Sequence, residues 1–227
     1  MDKRFLGILA GIIIIFVGIV AISNHSNNGS SGSNSGGGTQ PTHNVMGNGA
    51  KGVTLMEYGD FECPICGAYY EPLKQAVAQL NNDIYFQFRN LPLVSIHPNA
   101  FAGARAAQAA ALQGKFWQMH DLLYQNQSDW VNETNVQPIF ENYAKELGLN
   151  VTKFKQDYAS SQVNDAINAD LNAFSKTGQE MATPTIFIDG KYVPNTEFTD
   201  PQTGAPSADK IVAVVNAEIA KKNSGKS

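Results

Sequence analysis

The chain has two cysteines, and they stand together as Cys63-Pro64-Ile65-Cys66. Two thiols at this spacing, at the start of a helix, suit redox chemistry. The first sulfur lies beside the unpaired N–H groups and the positive dipole end of the helix. That setting favours the thiolate, which is the nucleophile of disulfide exchange. The second thiol, one turn further in, is within reach of a mixed disulfide on the first. Cys63 is therefore the expected attacking thiol and Cys66 the resolving one. Pro64 suits a first helical turn, where its missing N–H leaves nothing unpaired. A structural staple is a weaker reading, because a disulfide closing so short a loop constrains little of the unfolded chain. Zinc would need two further ligands from His25, His43, His97 and His120, none at helical or knuckle spacing to another, so no metal is expected. A chance pair of unreactive core thiols stays open.

The elements around this pair follow from periodicity. A mostly apolar strand is expected over 53–58, then a turn at Gly59-Asp60. The helix begun by the cysteines runs to about residue 80, with Tyr69, Leu73, Ala76, Val77 and Leu80 spaced by three and four. A second strand over 84–88 follows, and residues 99–178 read as helical throughout. Third and fourth strands, 185–188 and 191–193, flank Asp189-Gly190 as a hairpin. A closing helix capped near Ser207 ends at about residue 220. Strands joined through a helix should pair in parallel, and the hairpin should form an antiparallel edge. The layout is α/β: a small mixed sheet with helices on both faces and an inserted helical subdomain. Phe61, Tyr69, Tyr70 and Trp117 are expected in the core before they are expected on an apolar rim around Cys63. His97 and His120 read as cap or packing residues before switches.

A chain of 227 residues suits one ordinary domain plus extras, and 43% hydrophobic with 16% charged residues supports a packed core. The net charge of −4 lacks the basic excess of a nucleic-acid binder. Residues 5–22 carry no charge and as a helix would span about 27 Å, near the thickness of a bilayer core. Lys3 and Arg4 precede this stretch, and the next lysine or arginine is Lys51. The expected organisation is a cytoplasmic start and membrane anchor over 1–23, a flexible Asn/Gly/Ser-rich linker over 24–50, and a folded domain over 51–227 outside the cytoplasm. A cleaved signal ending near Ala21-Ile22-Ser23 is the alternative and would secrete the same domain. Either location permits disulfides to persist.

Leu55-Met56-Glu57-Tyr58 leading to Phe61-Glu62-Cys63-Pro64-Ile65-Cys66 resembles the active-site segment of the DsbA-like thiol:disulfide oxidoreductases of the thioredoxin superfamily. Leu91-Pro92-Leu93, His97-Pro98-Asn99-Ala100 and His120-Asp121-Leu122-Leu123 are similar to that family's inserted helical domain. The membrane-anchored, extracytoplasmic BdbD-type branch is the most similar, over about residues 52–222. The resemblance implies a thioredoxin-like fold with a helical insertion at about 98–178, preceded by one transmembrane helix.

Ala182-Thr183-Pro184-Thr185 resembles the superfamily's cis-proline loop, which implies that Thr183 and Pro184 face the cysteines and bind an extended substrate. Taken alone, Pro184 also reads as a plain edge-strand proline. Glu57 falls where family members carry a buried acid that takes the proton of the resolving thiol. A strand-end carboxylate reaching solvent is the other reading. Ile65 departs from the polar or cationic residue of strongly oxidising members, so the direction of electron flow stays open. The implied activity is disulfide introduction into unfolded or reduced exported proteins. A DsbB- or VKOR-like membrane protein would reoxidise the chain, and no cofactor beyond the Cys63–Cys66 disulfide is needed. The alternatives are a reductase or isomerase of the same fold, or a holdase without turnover.

Overall fold

The computed structural model describes residues 40–225. The apolar stretch 5–22 and most of the expected linker lie outside them. Among the described residues no helix is long and apolar enough to cross a membrane.

Five strands form one sheet: β1 (Asn44–Met46), β2 (Val53–Gly59), β3 (Ile84–Asn90), β4 (Thr185–Ile188) and β5 (Lys191–Val193). Their spatial order is β1-β3-β2-β4-β5. β2 and β3 run parallel, joined through α1 (Pro64–Leu80), as strands linked by a crossover helix should. β4 lies antiparallel to β2 and to β5. The β4–β5 turn has positive φ at both Asp189 and Gly190, the combination that Asp-Gly supplies in tight hairpins.

Side-chain alternation along β2 sets the layers. Val53, Leu55 and Glu57 share one face, and Val53 and Leu55 pack there with Leu73 and Val77 of α1. Ile211, Val215 and Ile219 of α8 (Ala208–Ser224) complete that layer. Tyr58, on the other face, meets Phe187 and Phe174 edge-on.

Six helices stand between β3 and β4: α2 (Ala100–Ala111), α3 (Phe116–Gln125), α4 (Gln127–Trp130), α5 (Gln137–Glu146), α6 (Val151–Tyr158) and α7 (Ser161–Ser175). The alanines of α2 leave room for α3, α6 and α7 to close around it. A Cβ on Gly103 would stand 3.1 Å from Phe61 and 3.2 Å from Trp130, so only glycine lets α2 approach the cysteine loop this closely. Cys63, Cys66, Phe61 and Phe88 belong to the same buried cluster as Trp130, Phe140 and Phe154. The cysteines thus sit where the insertion meets the sheet.

The expected linker over 24–50 ends earlier than its composition suggests. Residues 44–46 are strand β1, antiparallel to β3. Met46 packs on the core, and a polar contact fixes the start of the segment. The carboxylate of Asp170, fully buried on α7, accepts from Thr42 N at 2.7 Å and Thr42 Oγ1 at 2.8 Å. It also accepts from Asn90 N at 2.9 Å and Asn90 Nδ2 at 2.8 Å. Polar side chains that read as tether are here the donors of a buried clasp. Asp170→Ala leaves these donors unpaired and should lower unfolding stability by about 1–3 kcal/mol. Limited proteolysis should then cut within residues 40–50. Unchanged melting and an unchanged cleavage pattern would show that the clasp does not hold the strand.

Candidate active site

Cys63 is the N-cap of α1, with extended backbone, and Pro64 opens the helix. The loop before it is fixed by three side chains. Asp60 accepts from the Glu62 and Leu93 N–H groups at 2.9 Å each and pairs with His97 Nδ1 at 2.7 Å. Glu62 Oε2 accepts from Asn99 N at 2.6 Å. Gln127 Nε2 donates to the carbonyls of Phe61 at 2.8 Å and Cys63 at 2.9 Å. Both core layers therefore hold the loop, the sheet through β2 and the insertion through Gln127.

The Cys63 thiol donates to the Thr183 carbonyl at 3.5 Å, which brings the two distant segments together. The Thr183-Pro184 peptide bond is cis. Asn195 Nδ2 donates to the Pro184 carbonyl at 2.9 Å, and Tyr69 Oη of α1 donates to the Asn195 carbonyl at 3.0 Å. The proline loop is thus pinned to the same helix that carries the cysteines.

The two thiols are strongly unequal. The pKa of Cys63 falls to about 5, first because the Cys66 thiol donates to its thiolate. Burial opposes this, while the Thr183 side chain and the N–H groups of Cys66 and Ile65 add to it. Cys66, fully buried, is pushed well above the ordinary thiol value by burial, by its bond to Cys63, and by the charges of Glu57 and Cys63. Glu57 is 3% exposed, so it does not reach solvent. Its cross-strand neighbours are Phe88 and Ile186, and no cation faces it across the sheet. Burial and the Cys63 charge raise its pKa to about 8. A poised nucleophile, a guarded second thiol and a carboxyl that titrates near neutrality occupy one buried corner.

Phe61, Tyr69 and Tyr70 are core residues, and Trp117 is half-buried, donating to the Val45 carbonyl. The apolar residues that do reach solvent are others. Ile65 stands between the cysteines, Met181 just before the proline loop, and Val94 and Ile96 on the loop that Asp60 holds. Sequence reasoning missed Asp60, Gln127 and Asn195. Each acts across a long gap in the chain, and no local spacing announces that. Among the described residues no group of three or more His, Cys, Asp or Glu side chains is placed to hold a metal ion.

A central sheet with a Cys-x-x-Cys at the head of a helix, a cis-proline loop against it and a helical insertion defines a thioredoxin-like α/β protein. The family model described as Thioredoxin matches residues 39–214, and the chain belongs to that family. Solved structures share the fold. BdbD from Bacillus subtilis superposes with a TM-score of 0.64 at 21% identity, over 81% of this chain and 97% of that one. Alpha-DsbA1 from Wolbachia pipientis gives a TM-score of 0.66 at 16% identity, over 84% and 96%. MdbA, a thiol-disulfide oxidoreductase from Corynebacterium diphtheriae, gives 0.56 at 23% identity, over 69% and 91%. Among curated relatives, a protein named Na(+)/H(+) antiporter NhaA 1 from Mycolicibacterium gilvum is 36% identical over 151 residues, which is 61% of this chain and 22% of that protein. Its namesake from Salinispora arenicola is 37% identical over 145 residues, 20% of its length. The chain therefore spans about a fifth of the curated relatives it matches.

Proposed function

We propose that the chain is an extracytoplasmic thiol:disulfide oxidoreductase that introduces disulfides into unfolded or reduced exported proteins. The observation that carries this reading is Cys63 at the head of α1, its sulfur 3.5 Å from the Thr183 carbonyl of the cis-proline loop, with Cys66 fully buried behind it. A substrate thiolate attacks Cys63 of the oxidised pair, forming a substrate–Cys63 disulfide and releasing Cys66 as thiolate. A second substrate thiolate attacks the substrate sulfur of that bond and expels Cys63. The substrate is oxidised by two electrons and the Cys63/Cys66 pair reduced by two. The Thr183 carbonyl beside Cys63 is placed to accept from the backbone of an extended substrate. Exposed Ile65, Met181, Val94 and Ile96 give its apolar side chains a surface. No cofactor is needed beyond the cysteine pair.

The 5–22 stretch supports a single-pass anchor with the catalytic domain outside, or secretion after cleavage. The reduced pair then requires an oxidant, for which a DsbB- or VKOR-like membrane protein is the proposed class. No antiport follows from the partial match to proteins of that name. A reductase or isomerase role is the competing reading, favoured only by the uncharged Ile65.

Equilibration of the reduced protein with glutathione buffers decides between them. A potential of about −120 to −180 mV supports disulfide donation. A value near −270 mV turns the reading to a reductant. A cysteine pair that does not equilibrate at all leaves a holdase.

A further inference from the structure

Cys66 must lose a proton to attack a mixed disulfide on Cys63, yet it has no contact with solvent. The family resemblance gives that proton to Glu57, whose charge acts on Cys66, and Glu57 is itself buried. The proton still needs a way out. A cavity of about 210 Å³ opens between α1, α3 and the sheet, with Glu57 in its wall. That is room for several waters, each needing about 10–15 Å³ by the same measure. The wall also includes His120 and Asp121 of α3 and Lys74 of α1.

His120 is 5% exposed and stacked edge-on against Phe61, Phe88 and Tyr124. Its Nδ1 faces Asp121 Oδ1 at 3.2 Å. A carboxylate only accepts, so Nδ1 carries the proton and Nε2 keeps its lone pair. Nε2 is buried and has no protein partner. Burial lowers the pKa of His120, which keeps the resting ring neutral. Asp121 is about one-third exposed and pairs with Lys74 at 2.8 Å, so the far end of the ring leads to solvent. The titratable groups facing His120 from the packed elements are Glu57 on β2, Tyr70 and Lys74 on α1, and Asp121 and Tyr124 on α3.

We infer that His120, with Asp121, relays protons between buried Glu57 and solvent through this cavity while Cys66 gains or loses its proton. The inference rests on the disulfide-exchange reading above. In the outward direction, Cys66 Sγ gives its proton to the Glu57 carboxylate and attacks Cys63 Sγ of a Cys63–S–S–R bond. The Cys63–Cys66 bond forms, the bond to R breaks, and RS⁻ leaves with the electron pair. Glu57 then passes its proton through cavity water to His120 Nε2, and Nδ1 releases one towards Asp121 and bulk water. When a substrate thiolate opens the disulfide, the same path runs inward. His120 is a relay residue and touches neither sulfur.

The test isolates this step in the full chain. The reduced protein is mixed with 5,5′-dithiobis(2-nitrobenzoate), attack by Cys63 leaves a mixed disulfide and expels one coloured thiolate, and release of the second by Cys66 is followed from pH 5.5 to 9. His120→Gln and Asp121→Asn should each slow release about ten-fold or more below pH 8. The loss should shrink as pH rises and hydroxide takes the proton directly. His120→Gly should recover part of the rate with added imidazole, which a purely structural role would not allow. If both variants release within two-fold of the wild type at every pH, the relay is wrong although exchange stands. If the wild type itself fails to release, the exchange reading falls first. Should the His120 variants lose their near-UV circular dichroism, surface-reaching Asp121→Asn decides alone.

Discussion

Titrated from pH 9 downward, the reduced protein will lose its Cys63 thiolate with a midpoint near pH 5, and Cys66→Ala will move that midpoint upward. Thiolate absorbance at 240 nm and the rate of iodoacetamide alkylation report it. The direction in Cys66→Ala is specific to this site. The leading cause of the low value is the bond donated by the Cys66 thiol, and the variant removes that donor. The remaining helping groups are Thr183 and the N–H groups of the first turn, which alone work against burial. Ile65 contributes only its backbone. The folded pKa is depressed from 9.0, so its contribution to the stability of the reduced form is complete above pH 9 and is lost as pH falls through 5. At pH 7 it amounts to about 2 kcal/mol after allowance for solvent screening. For a two-electron couple that makes the pair about 40 mV more oxidising than an unperturbed one. Cys63→Ala should abolish exchange altogether, since Cys66 is neither exposed nor ionised at neutral pH. A wild-type midpoint near 9, or full exchange in Cys63→Ala, would overturn the assignment of roles.

The cysteine pair was legible because its chemistry lives in local spacing, and the strands of the sheet centre because burial imposes a local period. β2, β3, β4 and α1 fall where alternation and the three-four pattern place them. β1 escaped because Thr42 is held by hydrogen bonds to Asp170, a partner 128 positions away, and Asn44 by its amide to Thr42 Oγ1 and the Phe88 carbonyl. Composition registers what a segment can bury and is blind to what it can bond. The same blindness hid Gln127, whose amide reaches Phe61 and Cys63 from the insertion, and Asn195, which steadies Pro184. His120 is a subtler case. On α3 it lies among Phe116, Met119 and Leu123, and the helical period reads it as packing. It does pack, against six aromatic rings. Only the lone Nε2 and the shared cavity with Glu57 separate it from an ordinary core histidine, and both belong to three dimensions.

Glu57→Gln should make the oxidised protein more stable and its chemistry slower. In the oxidised state Cys63 carries no charge, so burial, the larger cause, acts on Glu57 without its help. The folded pKa is raised above the unfolded value of 4.5, towards about 8. Between those values the unfolded carboxyl is ionised while the folded one keeps its proton. The neutral acid's contribution is therefore fully present below pH 4.5 and is lost as pH rises through 8. Its loss at pH 7 is at most about 3 kcal/mol, at 1.36 kcal/mol for each pH unit between the unfolded value and that pH. Glutamine has no proton to keep, so urea unfolding of the variant should decline less than the wild type from pH 5 to 8, the difference widening as pH rises. Lower stability of the variant at pH 8 would mean that the carboxylate has a favourable partner and that burial is not the governing cause. The kinetic effect has the opposite sign. Without a carboxylate to accept its proton, Cys66 should attack a mixed disulfide about a hundred-fold more slowly near pH 8, and the difference should shrink as pH falls and Glu57 keeps its own proton. Retaining a destabilising acid in this core makes sense if the buried thiol uses it as a base, and a variant both more stable and equally fast would remove that reason.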